Sequence, residues 1–230
     1  MKKVFLKINV YIKILLLSLI FSNFSLAKDR FYLGLNSGLA MVSSQQTGNF
    51  KSFSYNFDKQ QTEYKNALLT SLKLGYQLDK YRLEIENFQH SNDIEEIRVD
   101  SINAKYTSVA TSSKTKFSTL FVSFYHDISP IVISLDSNIT PFLGIGLGVV
   151  SIDVVREYEG TSYNESGEGE ASAWHLTGGI SMKLTQNLLV DTSLRIMNYS
   201  DISYKETTDE LMVQSYGISS AIMFGIRYKI

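Results

Sequence analysis

From residue 31 to the last residue, apolar side chains return at every second position in one short run after another, and Ser, Thr, Asn, Asp and Gly cluster between the runs. A period of two puts alternate side chains on opposite faces of an extended chain, so the pattern belongs to strands with one apolar face. The first run sets Phe31, Leu33, Leu35, Leu39 and Met41 against Tyr32, Gly34, Asn36, Gly38 and Ala40. The second sets Leu68, Thr70, Leu72, Leu74, Tyr76 and Leu78 against Ala67, Ser71, Lys73, Gly75 and Gln77. It stops at Asp79-Lys80 and resumes as Tyr81, Leu83 and Ile85 against Arg82, Glu84 and Glu86, which marks a tight hairpin. Alternation recurs near 115–127, 139–152, 173–184, 188–199 and 214–230, giving eight strands. With only 2 prolines in 230 residues and 44% hydrophobic composition, little in the chain interrupts long strands or starves a core.

The apolar face must meet either a protein core or lipid. A soluble sandwich or cup would turn it inward, but three features place it against lipid. Connections alternate in length, very short after Leu78 and Leu184, and long at about 43–66, 90–113, 156–171 and 200–213, as in barrels with short periplasmic turns and long outer loops. Aromatics mark the strand ends, with Tyr76, Tyr81, Phe142 and Tyr228 toward the short turns and Trp174, Tyr199 and Tyr216 toward the long loops, which reads as two interfacial girdles. The other face is rich in Gly, Ser, Ala and Thr, suited to the narrow interior of eight strands. The expected fold is all-β, an eight-stranded antiparallel up-and-down transmembrane β-barrel, because only closure lets strands cross hydrocarbon without unpaired edges.

The first 27 residues read as an address. Lys2, Lys3, Lys7 and Lys13 precede the apolar run Ile14–Phe21, and Ser25-Leu26-Ala27 supplies small residues for a signal peptidase. That run is roughly half the ~20 residues a spanning helix needs, so a cleaved signal peptide over 1–27 is expected, with the barrel domain over 28–230. The formal charge of −1 includes those four lysines, which leaves −5 on the remainder, and that balance does not suit a nucleic-acid binder. The absence of cysteine excludes a disulfide scaffold, a thiolate metal site, a cysteine nucleophile and a lipid-anchored cysteine.

The last strand carries Ile222, Phe224, Ile226, Tyr228 and Ile230 at alternate positions. This is similar to the C-terminal strand signal read by the outer-membrane barrel assembly machinery, with Ile230 standing where the family pattern ends in Phe. With Phe31–Leu35, Leu74–Leu78, Thr140–Gly148 and Gly225–Lys229, the chain resembles the small eight-stranded opacity-type and rickettsial-type surface antigens, related in form to the OmpA-type barrel. The resemblance implies export through the inner membrane to a bacterial outer membrane, outer-membrane lipid around the wall, and loops that meet a host-surface protein. Its implied role is a surface antigen or adhesin-like envelope protein. A small porin-like diffusion channel is the alternative, and a lipid-modifying barrel enzyme a third reading.

A two-residue turn at Asp79-Lys80 sets Lys73 opposite Glu86 and Gly75 opposite Glu84, all facing inward. A turn at 185–187 sets Ser181 opposite Asp191, Thr177 opposite Arg195 and His175 opposite Met197. Strands three and seven face each other across the barrel, so Lys73, Glu84, Glu86, Asp191 and Arg195 form a lumen charge network, which acts either as a charge-lined water path or as a buried ion-pair plug; the narrow bore favours the plug.

No catalytic site, metal site or cofactor is expected. His90-Ser91, with Asp93, Glu95 and Glu96 following, is the candidate hydrolytic cluster, but adjacency does not supply the geometry of a triad. Gly144, Gly146 and Gly148 lack the spacing of a phosphate loop and are read as room for lumen side chains from opposite strands, or as a bend in the barrel wall. The stretches 156–171 and 200–213 are acidic loops without calcium-hand order. Phe53, Tyr55, Phe57 and Tyr64 in the first long connection are the candidate contact residues, because exposed aromatics mark binding surfaces.

Overall fold

A computed structural model describes residues 30–43, 45–52, 55–101, 104–108, 113–134, 137–157, 164–206, 211–214 and 218–230. The expected signal peptide, Phe53 and Tyr216 lie outside the described residues, as do the side chains of Tyr55 and Phe57. The described strands are β1 (Phe31–Val42), β2 (Gln45–Ser52), β3 (Tyr55–Tyr64), β4 (Ala67–Leu78), β5 (Tyr81–Ser101), β6 (Ala104–Ser108), β7 (Lys114–Asp127) and β8 (Ile131–Ser134). They continue as β9 (Ser137–Glu157), β10 (Asn164–Lys183), β11 (Leu188–Tyr199), β12 (Ile202–Glu206), β13 (Leu211–Gln214) and β14 (Ser219–Lys229).

Eight of these, β1, β4, β5, β7, β9, β10, β11 and β14, pair antiparallel in chain order, and β14 returns to β1 to close the wall. Closure satisfies the backbone of both outermost strands, down to the amide of Ile230, which donates to the carbonyl of Phe31 at 2.9 Å. A row of paired residues from Leu35 through Leu72, Asn87, Leu120 and Val149 ends at Ser172. Followed the other way, through Ile226 and Val190, it ends at Met182, ten residues further along the same strand. This stagger tilts the strands to the barrel axis, by about 35–45° in barrels of this kind. At the first tight turn Asp79 takes up the left-handed backbone (φ 51°), a conformation Asp tolerates.

Outward positions carry the apolar set. Leu33 and Leu35 on β1, Leu68 and Leu72 on β4, Leu83 on β5, Val122 and Phe124 on β7 are all exposed. So are Leu143, Ile145 and Leu147 on β9, Leu176 on β10, Leu194 on β11 and Phe224 on β14. A soluble protein does not expose a contiguous apolar ring of this extent, so the wall is built to face hydrocarbon.

Three sequence expectations need correction. The long connections do not remain loops: β5, β9 and β10 run on for 21, 21 and 20 residues, about twice the ~10 needed to cross a membrane. The β2–β3 hairpin pairs with the outer half of β5, β6 pairs with the end of β5, and β12 pairs with β10, so the exposed backbone groups of those extensions find partners. Phe142 and Tyr199 are not girdle residues, because each lies at an inward position of its own strand and is buried. Tyr64 is not an exposed contact residue: β3 carries it back to the wall beside Ile94, and both are buried with Val42 in the core.

Candidate functional site in the barrel interior

Inward-facing residues divide the interior into two layers. Toward the short turns lie four cations, Lys73, Arg82, Arg195 and Arg227, and four acids, Glu84, Glu86, Asp127 and Asp191. Arg227 Nη2 donates to Asp191 Oδ1 at 2.9 Å and to Ser181 Oγ at 2.7 Å, and its Nε lies 2.7 Å from Asp191 Oδ2 as an ion pair. Lys73 Nζ lies 3.5 Å from Asp191 and 3.8 Å from Glu84. Arg82 joins Glu84 at 3.1 Å and Asp127 at 2.9 Å, and its guanidinium sits 4.8 Å over the Tyr125 ring and 4.6 Å over that of Phe142. Tyr32 donates its hydroxyl to Glu84.

Glu86 is fully enclosed, with an ion pair at one carboxylate oxygen and hydrogen bonds at the other. Arg195 Nη2 meets one carboxylate oxygen at 2.7 Å, while Ser71 Oγ at 2.6 Å and Asn36 Nδ2 at 3.1 Å donate to the other. Charge withdrawn from water survives only with this degree of pairing. From Arg195 the hydrogen bonds continue through Thr177 Oγ1 at 3.0 Å to His175 Nδ1 at 3.0 Å, and from His175 Nε2 to Ser123 Oγ at 2.8 Å. The Ser123–His175 pair has the distance of an activated hydroxyl, but His175 is 0% exposed and its second nitrogen faces a threonine, so the pair ties β7 to β10.

Toward the hairpins apolar side chains predominate in the interior, with His90, Asn92, Thr115 and Thr119 buried among them. Leu69, Phe88, Phe117, Phe121, Val150, Ile152 and Met197 are buried together. His90 stacks on Phe117 at 4.5 Å, and Phe117 on Tyr199 at 5.4 Å. The candidate hydrolytic cluster is thereby separated: His90 points inward and bonds Asn92 Oδ1 at 2.6 Å, while Ser91 points out.

These large side chains fit because the residue across the strand pair is often glycine. A Cβ added to Gly75 would come within 2.1 Å of the Tyr32 ring, and one added to Gly144 within 2.1 Å of the Tyr125 ring. Gly146 and Gly148 likewise lie against Ser123, His175 and Phe121, so the room they leave is filled from adjacent strands rather than from opposite ones. At the short-turn end a vestibule of about 590 Å³, lined by Gln77, Asp127, Thr140, Ser181, Lys183 and Arg227 among others, ends against the charged layer.

The structure thus brings Lys73, Glu84, Glu86, Asp191 and Arg195 together, with Lys73 opposite Glu86 and Ser181 opposite Asp191 in the expected register. Sequence reasoning missed Arg82, Asp127 and Arg227 as members of the network. Arg82 and Arg227 sit at inward parity, which is the signal that identifies them, whereas Arg227 reaches Asp191 diagonally, beyond a count of directly opposed pairs. Ile222, Phe224, Ile226, Tyr228 and Ile230 are all exposed, and the first four stand opposite Leu39, Ser37, Leu35 and Leu33 on the closing strand.

No family model and no curated protein sequence matches the chain. Among solved structures it is similar to Neisserial surface protein A, NspA, at 16% identity and a TM-score of 0.53, covering 87% of this chain and 97% of that one. It is also similar to the outer membrane protein OprG from Pseudomonas aeruginosa, at 12% identity and a TM-score of 0.55, covering 89% and 99%. The fold is that of the eight-stranded outer-membrane barrels. At these identities the likeness is one of architecture.

Proposed function

We propose that the chain is an outer-membrane surface protein of the adhesin-like or surface-antigen kind, whose work is done by the hairpins beyond the wall. One observation carries this reading: the interior is filled in two successive layers, ion pairs and then aromatic rings, while β5, β9 and β10 continue well past the apolar belt and recruit β2, β3, β6 and β12. A wall closed inside and elaborated outside suits contact with a partner better than passage of solute. The similarity of fold to a Neisserial surface protein agrees with that assignment. The diffusion-channel alternative would need water to cross the layer in which Arg195, Arg227, Glu86 and Asp191 neutralise one another.

Within this reading the charge network is a plug, the outward face of β14 presents the assembly signal, and Phe53, Tyr55 and Phe57 of the first long connection are the aromatic contact candidates. The test is binding of cells displaying the protein to host cells or extracellular matrix, before and after residues 47–60 are replaced by a short Gly-Ser turn. Loss of binding with the barrel still folded is the expected result. Undiminished binding would remove the hairpin from the account, and ion conduction by the unaltered barrel would overturn the closed-wall reading altogether.

A further inference from the structure

The apolar belt has a gap. Among the described side chains of β5 only Tyr81, Leu83 and Ile85 are apolar and outward, and the next outward positions are Asn87 and Gln89, both exposed. Asn87 stands level with Leu72 on β4 and Leu120 on β7, each exposed to the hydrocarbon, so it lies inside the belt rather than above it. The row through Gln89 is polar across four strands: Ser37 on β1 pairs with Thr70 on β4, Thr70 with Gln89, and Gln89 with Ser118 on β7. On β1 and β4 this row is bounded on one side by Leu35 and Leu72 and on the other by Leu39 and Leu68, all exposed, whereas on β5 and β7 the next outward residues toward the hairpins are Ser91 and Lys116, so the strip opens there at the edge of the belt.

Gln89 Nε2 donates to Asn87 Oδ1 at 2.8 Å. The two amides together carry four N–H donors and two carbonyl acceptors, and that bond uses one donor and one acceptor. Among the described residues neither amide makes another side-chain hydrogen bond. At the depth of Asn87, between Leu72 and Leu120, hydrocarbon offers no partner for the remainder.

We propose that this strip is a contact surface between two copies of the chain in the membrane, with the Asn87 and Gln89 amides of one copy bonded to those of the other. Three observations select a second copy. An amide is donor and acceptor at once, so the patch complements itself across a two-fold axis. The groups are neutral, so the partner need not be charged. The belt fixes the depth of each barrel, and a second copy presents the same amides at the same depth. Leu68, Leu72 and Leu120 around the strip supply apolar packing against their counterparts. The inference rests on the belt spanning a membrane and is independent of what the hairpins bind.

The absence of cysteine makes the test direct. Thr70→Cys, beside Gln89 in the row, keeps both amides, and Leu194→Cys places an exposed thiol on β11, four strands around the wall from β5. Oxidative cross-linking of the full chain in intact membranes is expected to give a disulfide-linked dimer from Thr70→Cys and at least tenfold less from Leu194→Cys. Adding Asn87→Leu and Gln89→Leu to Thr70→Cys is expected to lower the dimer yield at least tenfold while heat-dependent gel mobility stays that of a closed barrel. Equal yields from the two cysteine variants would overturn the proposal. So would a Thr70→Cys yield indifferent to loss of the amides, or a strictly monomeric barrel that instead retains a polar lipid at the strip.

Discussion

Arg195 on β11 and Glu86 on β5 stand four strands apart in a wall of eight, yet their charged atoms meet at 2.7 Å across the interior. A contact of this length fixes the effective bore, because the two side chains bridge it from opposite sides. It also sets the penalty for losing either partner. Both residues are almost wholly buried, and removing one member of such a pair leaves a naked charge in a medium of low dielectric.

Glu86→Gln is therefore expected to destabilise the barrel by about 3–5 kcal/mol, and Arg195→Met by a comparable amount. The double replacement Glu86→Gln with Arg195→Met should recover a large part of that loss, since no unpaired charge remains. Urea unfolding in lipid vesicles, followed by the heat-dependent shift in gel mobility, measures all three. Additive losses in the double variant would show that the pair contributes through its separate contacts to Ser71, Asn36, Thr177 and Tyr125 rather than as a unit.

The glycine opposite Tyr125 makes a second expectation. Gly144→Ala puts a methyl group where the Tyr125 ring already lies, and overpacking of this kind costs about 1–3 kcal/mol. Combining it with Tyr125→Ala removes the obstacle, so the two changes should couple by about 0.5–3 kcal/mol, the double variant being less damaged than the sum. A double-mutant cycle by thermal unfolding decides it, and strict additivity would mean that the ring already has room to move aside.

Much of this was legible in the sequence, for identifiable reasons. A side-chain period of two leaves no freedom once one face must meet lipid, so the parity of Leu33, Leu72 and Phe224 fixed the outward face, and a two-residue turn at Asp79-Lys80 fixed Lys73 opposite Glu86. The same arithmetic placed Arg195 level with Thr177. What stayed hidden depends on reach. Arg227 joins Asp191 along a diagonal, Arg82 spans from Glu84 to Asp127, and the Tyr64 ring turns inward because β3 pairs back onto β5, a pairing between segments that loop composition does not encode. Phe142 was misread for a different reason: its aromatic character suggested an interface, whereas its parity, opposite to that of Leu143, places it beneath the Arg82 guanidinium.

Depth in the belt gives a third expectation. Phe224 stands between Ser37 and Thr192, in the middle of the outward face of β14, and Ile218 precedes that strand on the hairpin side. Phe224→Lys should cost about 2–4 kcal/mol, and Ile218→Lys no more than about 1 kcal/mol, since a cation is penalised in proportion to its depth in hydrocarbon. Folding into vesicles across a urea series measures both. Equal penalties would mean that the belt is centred elsewhere on β14.

The two interior layers lie in series along the barrel axis, and that arrangement makes the conductance expectation sharper than simple silence. Charged residues close the section toward the short turns, and the Phe88, Phe117 and Phe121 rings close it toward the hairpins. Opening one layer leaves the other shut. The refolded chain in a planar bilayer should show no discrete steps, and neither Arg195→Ala with Glu86→Ala nor Phe88→Ala with Phe117→Ala should change that. All four replacements together join the two openings, and only that variant should conduct, with a step size that falls when a bulky side chain is restored in either layer. Steps from the unaltered chain, or from the charge-layer variant alone, would show that the aromatic layer does not seal and would return the barrel to the class of diffusion channels.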